Sequence, residues 1–265
     1  MMEQELLTRI PPKPSKIKFY LTIILVFGII LSSALFSGFS IMDIIRNLKY
    51  AFRLIDSMFF PPRWDYADNV IKPLLETVQM AILGSFFGAI LAFPAALLAA
   101  SNFIKIKWVN NVTRIMLNFF RTIPALVLAA LFVAVFGLGS FSGIVALTIF
   151  SFGLISKMTY ESIEAIDYGQ VEAVISLGGN RLNVFRYAIL PQVLPQYISY
   201  TLYAFEVNVR AAAVLGYVGA GGIGQYYEIF LNMRRFDFVG IIVLISFLAV
   251  LIIDFVSSSI RRRLV

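Results

Sequence analysis

Three ionisable residues, Arg121, Glu206 and Arg210, lie inside runs that otherwise carry no charge. The chemistry open to such a set is electrostatic. A carboxylate and a guanidinium four residues apart can pair along one helix face. An arginine left over can offset the charge of a passing anion, because its charge is permanent and its donors form a planar fork. A second pattern, Gly219-Ala220-Gly221-Gly222-Ile223-Gly224, has the form of a dinucleotide-binding loop. That fingerprint needs a preceding strand and a βαβ unit, whereas these glycines sit between long apolar runs and read as a flexible break. The chain contains no histidine and no cysteine, which removes imidazole ligands, Ser-His pairs, thiolate nucleophiles and disulfides. No G-x-x-x-x-G-K-[ST] string occurs, so the chain shows no phosphate-cradling ATPase loop of its own. An intramembrane enzyme would need clustered carboxylates or a nucleophile near one interface, and no such cluster is present.

The elements that position these residues are set by hydropathy. Of the 265 residues 60% are hydrophobic and 14% charged, against about 45–50% and about 25% in soluble domains. The expected fold is an all-α integral membrane bundle. Its net charge of +7 belongs to loops at lipid headgroups, and membrane lipid is a partner where nucleic acid is not. Six runs reach the length of about 20 residues that crosses the hydrocarbon core: 19–39, 73–100, 115–136, 144–160, 193–218 and 238–256. Between the first two, 41–60 mixes Asp43, Arg46, Lys49, Arg53 and Asp56 with apolar residues and reads as an external interfacial helix. The partition is a cytoplasmic tail at 1–18, a first span with interfacial helix at 19–69, a five-span core at 70–260 and a basic tail at 261–265. In the second span Gly84, Gly88, Ala92, Ala96 and Ala100 recur every four residues, a ridge that lets another helix approach and suits packing between subunits. Pro94 and Pro124 lie inside spans, which membrane helices tolerate, and Asp254 needs a neighbouring cation or the interface.

Six spans put both termini on one side. With that side inside, thirteen Lys and Arg fall in the cytoplasm and seven outside. The bias favours N-in/C-in, and it places the polar-tolerant stretch 161–191 in the cytoplasm.

Within that stretch Asp167 followed by Gln170 reads as a helix N-cap with a partner reaching back. Val171, Val174, Ile175 and Gly178 then share one apolar face, Gly178-Gly179 ends the helix, and Leu190-Pro191 opens the next span. A short amphipathic helix between two membrane spans suits docking into another protein's groove.

The spacing of Glu172, Ala173, Gly178, Leu190 and Pro191 resembles the EAA loop of ABC importer permeases, with Val174 in place of a third small residue and Ala188 where isoleucine is usual. The segments FPPRWDYADNVIKPLLETVQMAILG, RTIPALVLAALFVAVFGLG and YTLYAFEVNVRAAAVLGYVGAGGIG resemble the permease subunit of phosphonate-type ABC importers, and this similarity runs from about residue 60 to 263. The resemblance implies a six-helix permease of the bacterial cytoplasmic membrane that works as a dimer with a second permease subunit. It implies two ATP-binding subunits that hold ATP and Mg, an external substrate-binding protein, and phosphonates or related phosphorus oxyanions as cargo. It implies that the loop helix couples to the ATPase, with Glu172, Ala173 and Gly178 at the contact and Pro191 as hinge. Arg121, Glu206 and Arg210 are then candidates for the anion's path. Gly219, Gly221, Gly222 and Gly224 are candidates for an outer gate or a binding-protein contact. The residues by themselves leave open a permease for an amino acid or another oxyanion, and a channel or scaffold without an ATPase.

Overall fold

The computed structural model describes residues 16–264, so most of the 1–18 tail and Val265 lie outside the described residues. Every regular element among the described residues is helical. The chain divides into two compact units, the second beginning at Asp56. In the first, α1 (Lys16–Phe36) is a continuous apolar helix that Gly38 ends at φ +67°. It is followed after a four-residue turn by α2 (Ile41–Phe59). The apolar residues of α2 fall on one side, with Arg46, Lys49 and Arg53 on another, as an interfacial helix requires.

The second unit holds α3 (Ala67–Ala99), α4 (Lys107–Thr122), α5 (Ala125–Phe136), α6 (Ser140–Glu164), α7 (Tyr168–Ser176), α8 (Arg181–Val184), α9 (Leu190–Leu215), α10 (Gly224–Asn232) and α11 (Phe236–Arg261). Its backbone is the α3–α6 pair, the most extensive helix contact in the unit. The small-residue ridge explains this. A Cβ on Gly84 would stand 2.5 Å from Leu147 Cβ, and one on Gly88 would stand 2.5 Å from Ser151 Cβ. Ala92, Ala96 and Ala100 further along are fully buried. The ridge expected to serve subunit packing is therefore consumed inside the chain, because α6 occupies it.

The third span departs from expectation. It is two helices bent by 88° at Ile123-Pro124, not one crossing at 115–136. Residue 123 is extended, as the residue before proline prefers. The first arm, α4, is amphipathic, and the second, α5, has 12 apolar residues, about 18 Å at 1.5 Å per residue and short of a bilayer by itself. Backbone contact fixes the elbow, since a Cβ on Gly153 of α6 would lie 2.9 Å from the Arg121 nitrogen. Among the described residues four helices are long and apolar enough to cross alone, and the bent pair adds a fifth. The remaining expected crossing, the fifth run at 193–218, is α9, which has 26 residues but carries Glu206, Asn208 and Arg210.

Candidate coupling surface and translocation elements

Helix α7 is a local consequence of its sequence. Asp167 adopts an extended N-cap conformation and its carboxylate accepts the Gly169 N–H at 2.9 Å. The partner expected to reach back, Gln170, does not do so. The Asp167 N–H instead donates at 2.9 Å to Gln192 Oε1, 25 residues later in the first turn of α9. At its other end the Gly179 N–H donates to Val174 O at 3.0 Å and the Gly178 N–H to Ile175 O at 2.9 Å, a Schellman closure. Gly178 sits at φ +79° with no atom within 4 Å of a would-be Cβ. Its glycine is required by the left-handed backbone and not by a tight fit to a neighbour.

The helix is rooted at one point. Val171 is 6% exposed, in a cluster with Ala99, Ala100, Leu117, Tyr160, Ile163 and Val193, and Val174 packs against that cluster. The expected apolar face therefore splits, with Val171 and Val174 turned inward while Ile175 and Gly178 face outward. Glu172 and Ala173 are exposed, and Leu177 at 88% and Leu182 at 70% extend the outward apolar surface. Asn180 caps α8 by accepting the Asn183 N–H at 2.9 Å. The chain then widens into a π turn at Phe185–Ile189, closed by the Leu190 N–H donating to Phe185 O. The widening falls where Pro191 has no N–H to return to the carbonyl of Tyr187. Leu190 is half-buried and Pro191 exposed.

A polar node holds the frame around this helix. Glu164, the last residue of α6, accepts from the Ser101 N–H at 2.8 Å and also from the Ser101 hydroxyl and Arg114. Arg114 donates from Nε to Ala99 O at 2.9 Å and lies over the Tyr160 ring at 5.0 Å. The ends of α3 and α6 and the middle of α4 are thereby tied together directly above α7.

The charges inside the bundle do not pair as their spacing predicts. Glu206 and Arg210, four apart on α9, each turn to α11. Glu206 lies 2.7 Å from Arg261 Nη2, a close ion pair outside hydrogen-bond alignment, while Arg210 Nη1 donates to Asp254 at 3.3 Å. Asp254 thus has its cation. The Glu206 side chain is 6% exposed, whereas those of Arg210 and Asp254 are 48% and 45% exposed. Arg121 is exposed on the last turn of α4 beside the elbow, and no acidic partner for it occurs among the described residues.

Sequence reasoning missed Asn208, which is fully buried and donates to Ser85 at 2.8 Å and Ser151 at 2.6 Å. One residue from each of three helices meets there. An isolated asparagine among apolar residues was the available signal. The glycine segment 219–224 is a break, as expected, but it is held in place. The Gly139 N–H donates to Gly219 O at 2.9 Å, the Ile223 N–H donates to the Thr77 hydroxyl at 2.8 Å, and Ala220 and Ile223 are buried. Gly219, Gly221 and Gly222 have φ between +72° and +85°, and Gly224 opens α10.

Residues 92–265 match the family model described as binding-protein-dependent transport system inner membrane component. The chain belongs to this family. The permease is 32% identical over 239 residues to the phosphite transport system permease protein PtxC of Stutzerimonas stutzeri, covering 90% of this chain and 87% of that one. It is 38% identical over 208 residues to the phosphate-import permease protein PhnE of Mycolicibacterium smegmatis, covering 77% of this chain and 39% of the relative. An inward-facing structure of the MetNI methionine ABC transporter superposes with a TM-score of 0.65 at 23% identity, over 74% of this chain and 96% of that chain. This last likeness shows the fold. The permease is thus a multi-pass membrane subunit of an ABC importer. ATP is hydrolysed by a separate ATP-binding subunit, and a substrate-binding protein completes the system.

Proposed function

We propose that the permease carries phosphonates or related phosphorus oxyanions into the cell, as one half of a permease dimer driven through helix α7 (Tyr168–Ser176). The observation that carries this reading is the form of α7. It is a short helix capped at both ends, rooted by the buried Val171 with Val174 half-buried beside it, and otherwise presenting Glu172, Ala173, Ile175 and Leu177 outward. Burying one valine stabilises by about 1.5–3 kcal/mol, enough to hold the helix in place and little enough to let it move with a partner. The cargo class is supported by two relatives named for phosphite and phosphate transport. A permanent cation without an acidic partner, Arg121, lies beside the α4–α5 elbow, where an anion could use it. Arg210 shares its charge with Asp254 and Glu206 with Arg261. Arg121 is therefore the first candidate for the path, Arg210 the second, and Glu206 a holder of α11. The Lys and Arg bias supports N-in/C-in, which puts α7 on the side of the ATP-binding subunit and the 219–224 segment outside, toward the binding protein. One copy is half a pathway, and the second permease subunit is another copy or a related permease chain.

The deciding experiment is uptake by the assembled importer in proteoliposomes, with phosphonate, phosphite, phosphate and methionine in competition. Phosphorus oxyanions should compete and methionine should not. Uptake blocked by methionine alone would sink the cargo assignment. Labelling of a single cysteine at Leu177 from the external side only would sink the coupling assignment.

A further inference from the structure

Beside α7 lies an open groove of about 570 Å³, within the range of about 300–1,000 Å³ typical of clefts that hold a ligand. One wall is the α3–α4 connection, contributing Ile104, Lys105 and Ile106, and the other is the face of α7 bearing Tyr168 and Ile175. Arg181 also lines it. The lining is apolar apart from its cations and a few uncharged polar groups, and it contains no acidic residue. Lys105 and Arg181 are exposed and have no acidic partner among the described residues. Of the carboxylates flanking it, Glu164 is engaged by Arg114 and Ser101, and Asp167 accepts the Gly169 N–H at the start of α7. The groove is continuous with the outward surface of α7, because Tyr168 and Ile175, 50% and 56% exposed, belong to both.

We propose that this groove receives a segment of the ATP-binding subunit that carries an apolar side chain flanked by a carboxylate. The contact then runs in both directions: α7 projects into the ATP-binding subunit, and the ATP-binding subunit projects into the permease between α7 and the 102–106 connection. Two features select this occupant. Apolar walls with two cations in the lining that have no acidic partner among the described residues are complementary to an acidic, apolar-tipped segment. The shared residues Tyr168 and Ile175 also put any chain bound to the face of α7 at the mouth of the groove. Such a segment would bear on α7 and on the ends of α3 and α4 together, so motion would reach the bundle through two elements. The inference rests on the reading that α7 meets the ATP-binding subunit.

The test uses the full permease in phosphatidylcholine nanodiscs with its ATP-binding subunit. The natural chain has no cysteine, so Ile106→Cys carries a single environment-sensitive fluorophore at the groove wall. Adding the ATP-binding subunit should shift the emission to the blue and protect the label from a soluble quencher. Lys105→Glu with Arg181→Glu should weaken binding of the ATP-binding subunit about tenfold and flatten its salt dependence. Ile104→Trp, which fills the groove without changing charge, should weaken it as well. Leu177→Asp, on the α7 surface outside the groove, is measured in parallel. If Leu177→Asp abolishes binding while the label and both groove variants report no change, the groove inference is overturned and the α7 contact survives. If none of them alters binding, both fall. A label shielded in phosphatidylglycerol nanodiscs without the ATP-binding subunit assigns the groove to anionic lipid and overturns the proposal.

Discussion

Gln192 closes the N-terminus of α7 by accepting the Asp167 N–H at 2.9 Å, and its amide donates to Ala188 O at 2.7 Å and Asp167 O at 3.4 Å. One side chain in the first turn of α9 thus holds the start of α7. The carboxylate or amide oxygen that normally completes a capping box from the third helical residue comes here from a different helix. Any displacement of α7 reaches α9 through this staple as well as through the 177–189 connection.

Replacing Gln192 by Leu tests the staple. Each net hydrogen bond is worth about 0.5–1.5 kcal/mol, so the bundle should fold and the ATP-binding subunit should still associate. Uptake per ATP hydrolysed should drop several-fold because α7 and α9 no longer move as one. Equal ratios of transport to hydrolysis in the variant and the natural chain would show that the staple carries no force.

Gly178 makes a sharper distinction. Its surroundings are empty, so size does not matter there, but φ +79° does. A left-handed backbone costs most residues about 1–2 kcal/mol, and asparagine tolerates it better. Gly178→Asn should transport nearly as well as the natural chain, and Gly178→Val should not. Hydrogen exchange of the α7 amides should rise in the valine variant alone. Gly178→Leu with full uptake and full ATPase stimulation would remove the cap from the coupling mechanism. Gly179→Ala should be worse than Gly178→Ala for α7 geometry, since its Cβ would meet Val174 O at 2.7 Å.

These residues also mark what the sequence discloses. Asp167, Gly178-Gly179 and Pro191 are local signals, and the cap, the left-handed closure and the turn into α9 all appear at those positions. The period-four ridge at Gly84 and Gly88 identified a close helix contact but not the partner, because periodicity says which face is small and not what fills it. The 88° elbow was hidden for a similar reason. A hydropathy window averages α4 and α5 into one apolar run, although Pro124 marked the breaking point. Gln192 and the ion pairs Arg210–Asp254 and Glu206–Arg261 join residues 25 to 55 positions apart. Spacing along one helix offered Glu206 a nearer partner, and only tertiary packing shows that α11 takes both.

The ridge yields a stability prediction with an internal control. Gly84→Leu and Gly88→Leu would each drive atoms into α6, with the first Cβ already 2.5 Å from a neighbouring side chain. Overpacking of this kind typically costs about 1–3 kcal/mol and more where a backbone must move. Gly28→Leu in α1 meets nothing within 4 Å and should be neutral. Thermal unfolding of the purified permease in detergent separates them. Similar midpoints for Gly84→Leu and Gly28→Leu would mean that α3 and α6 do not meet along the ridge.

The two α9–α11 ion pairs should respond differently to the loss of one partner. Glu206 is nearly sealed from its surroundings, and removing Arg261 leaves an uncompensated buried carboxylate, a loss of about 3–5 kcal/mol. Arg261→Gln should therefore reduce folded protein, and Glu206→Gln in the same chain should restore most of it. Arg210 and Asp254 are each about half exposed. If that exposure faces water in a pathway, Arg210→Gln should cost under about 1 kcal/mol in stability, as exposed pairs do, while lowering uptake of the anion. If it faces lipid, the orphaned Asp254 should cost about 2.5–3.5 kcal/mol and the protein should be lost with the activity. Folded yield and uptake per folded molecule, measured together, decide between them. Normal yield with reduced uptake places Arg210 on the path, and reduced yield with normal uptake per molecule confines it to holding α11.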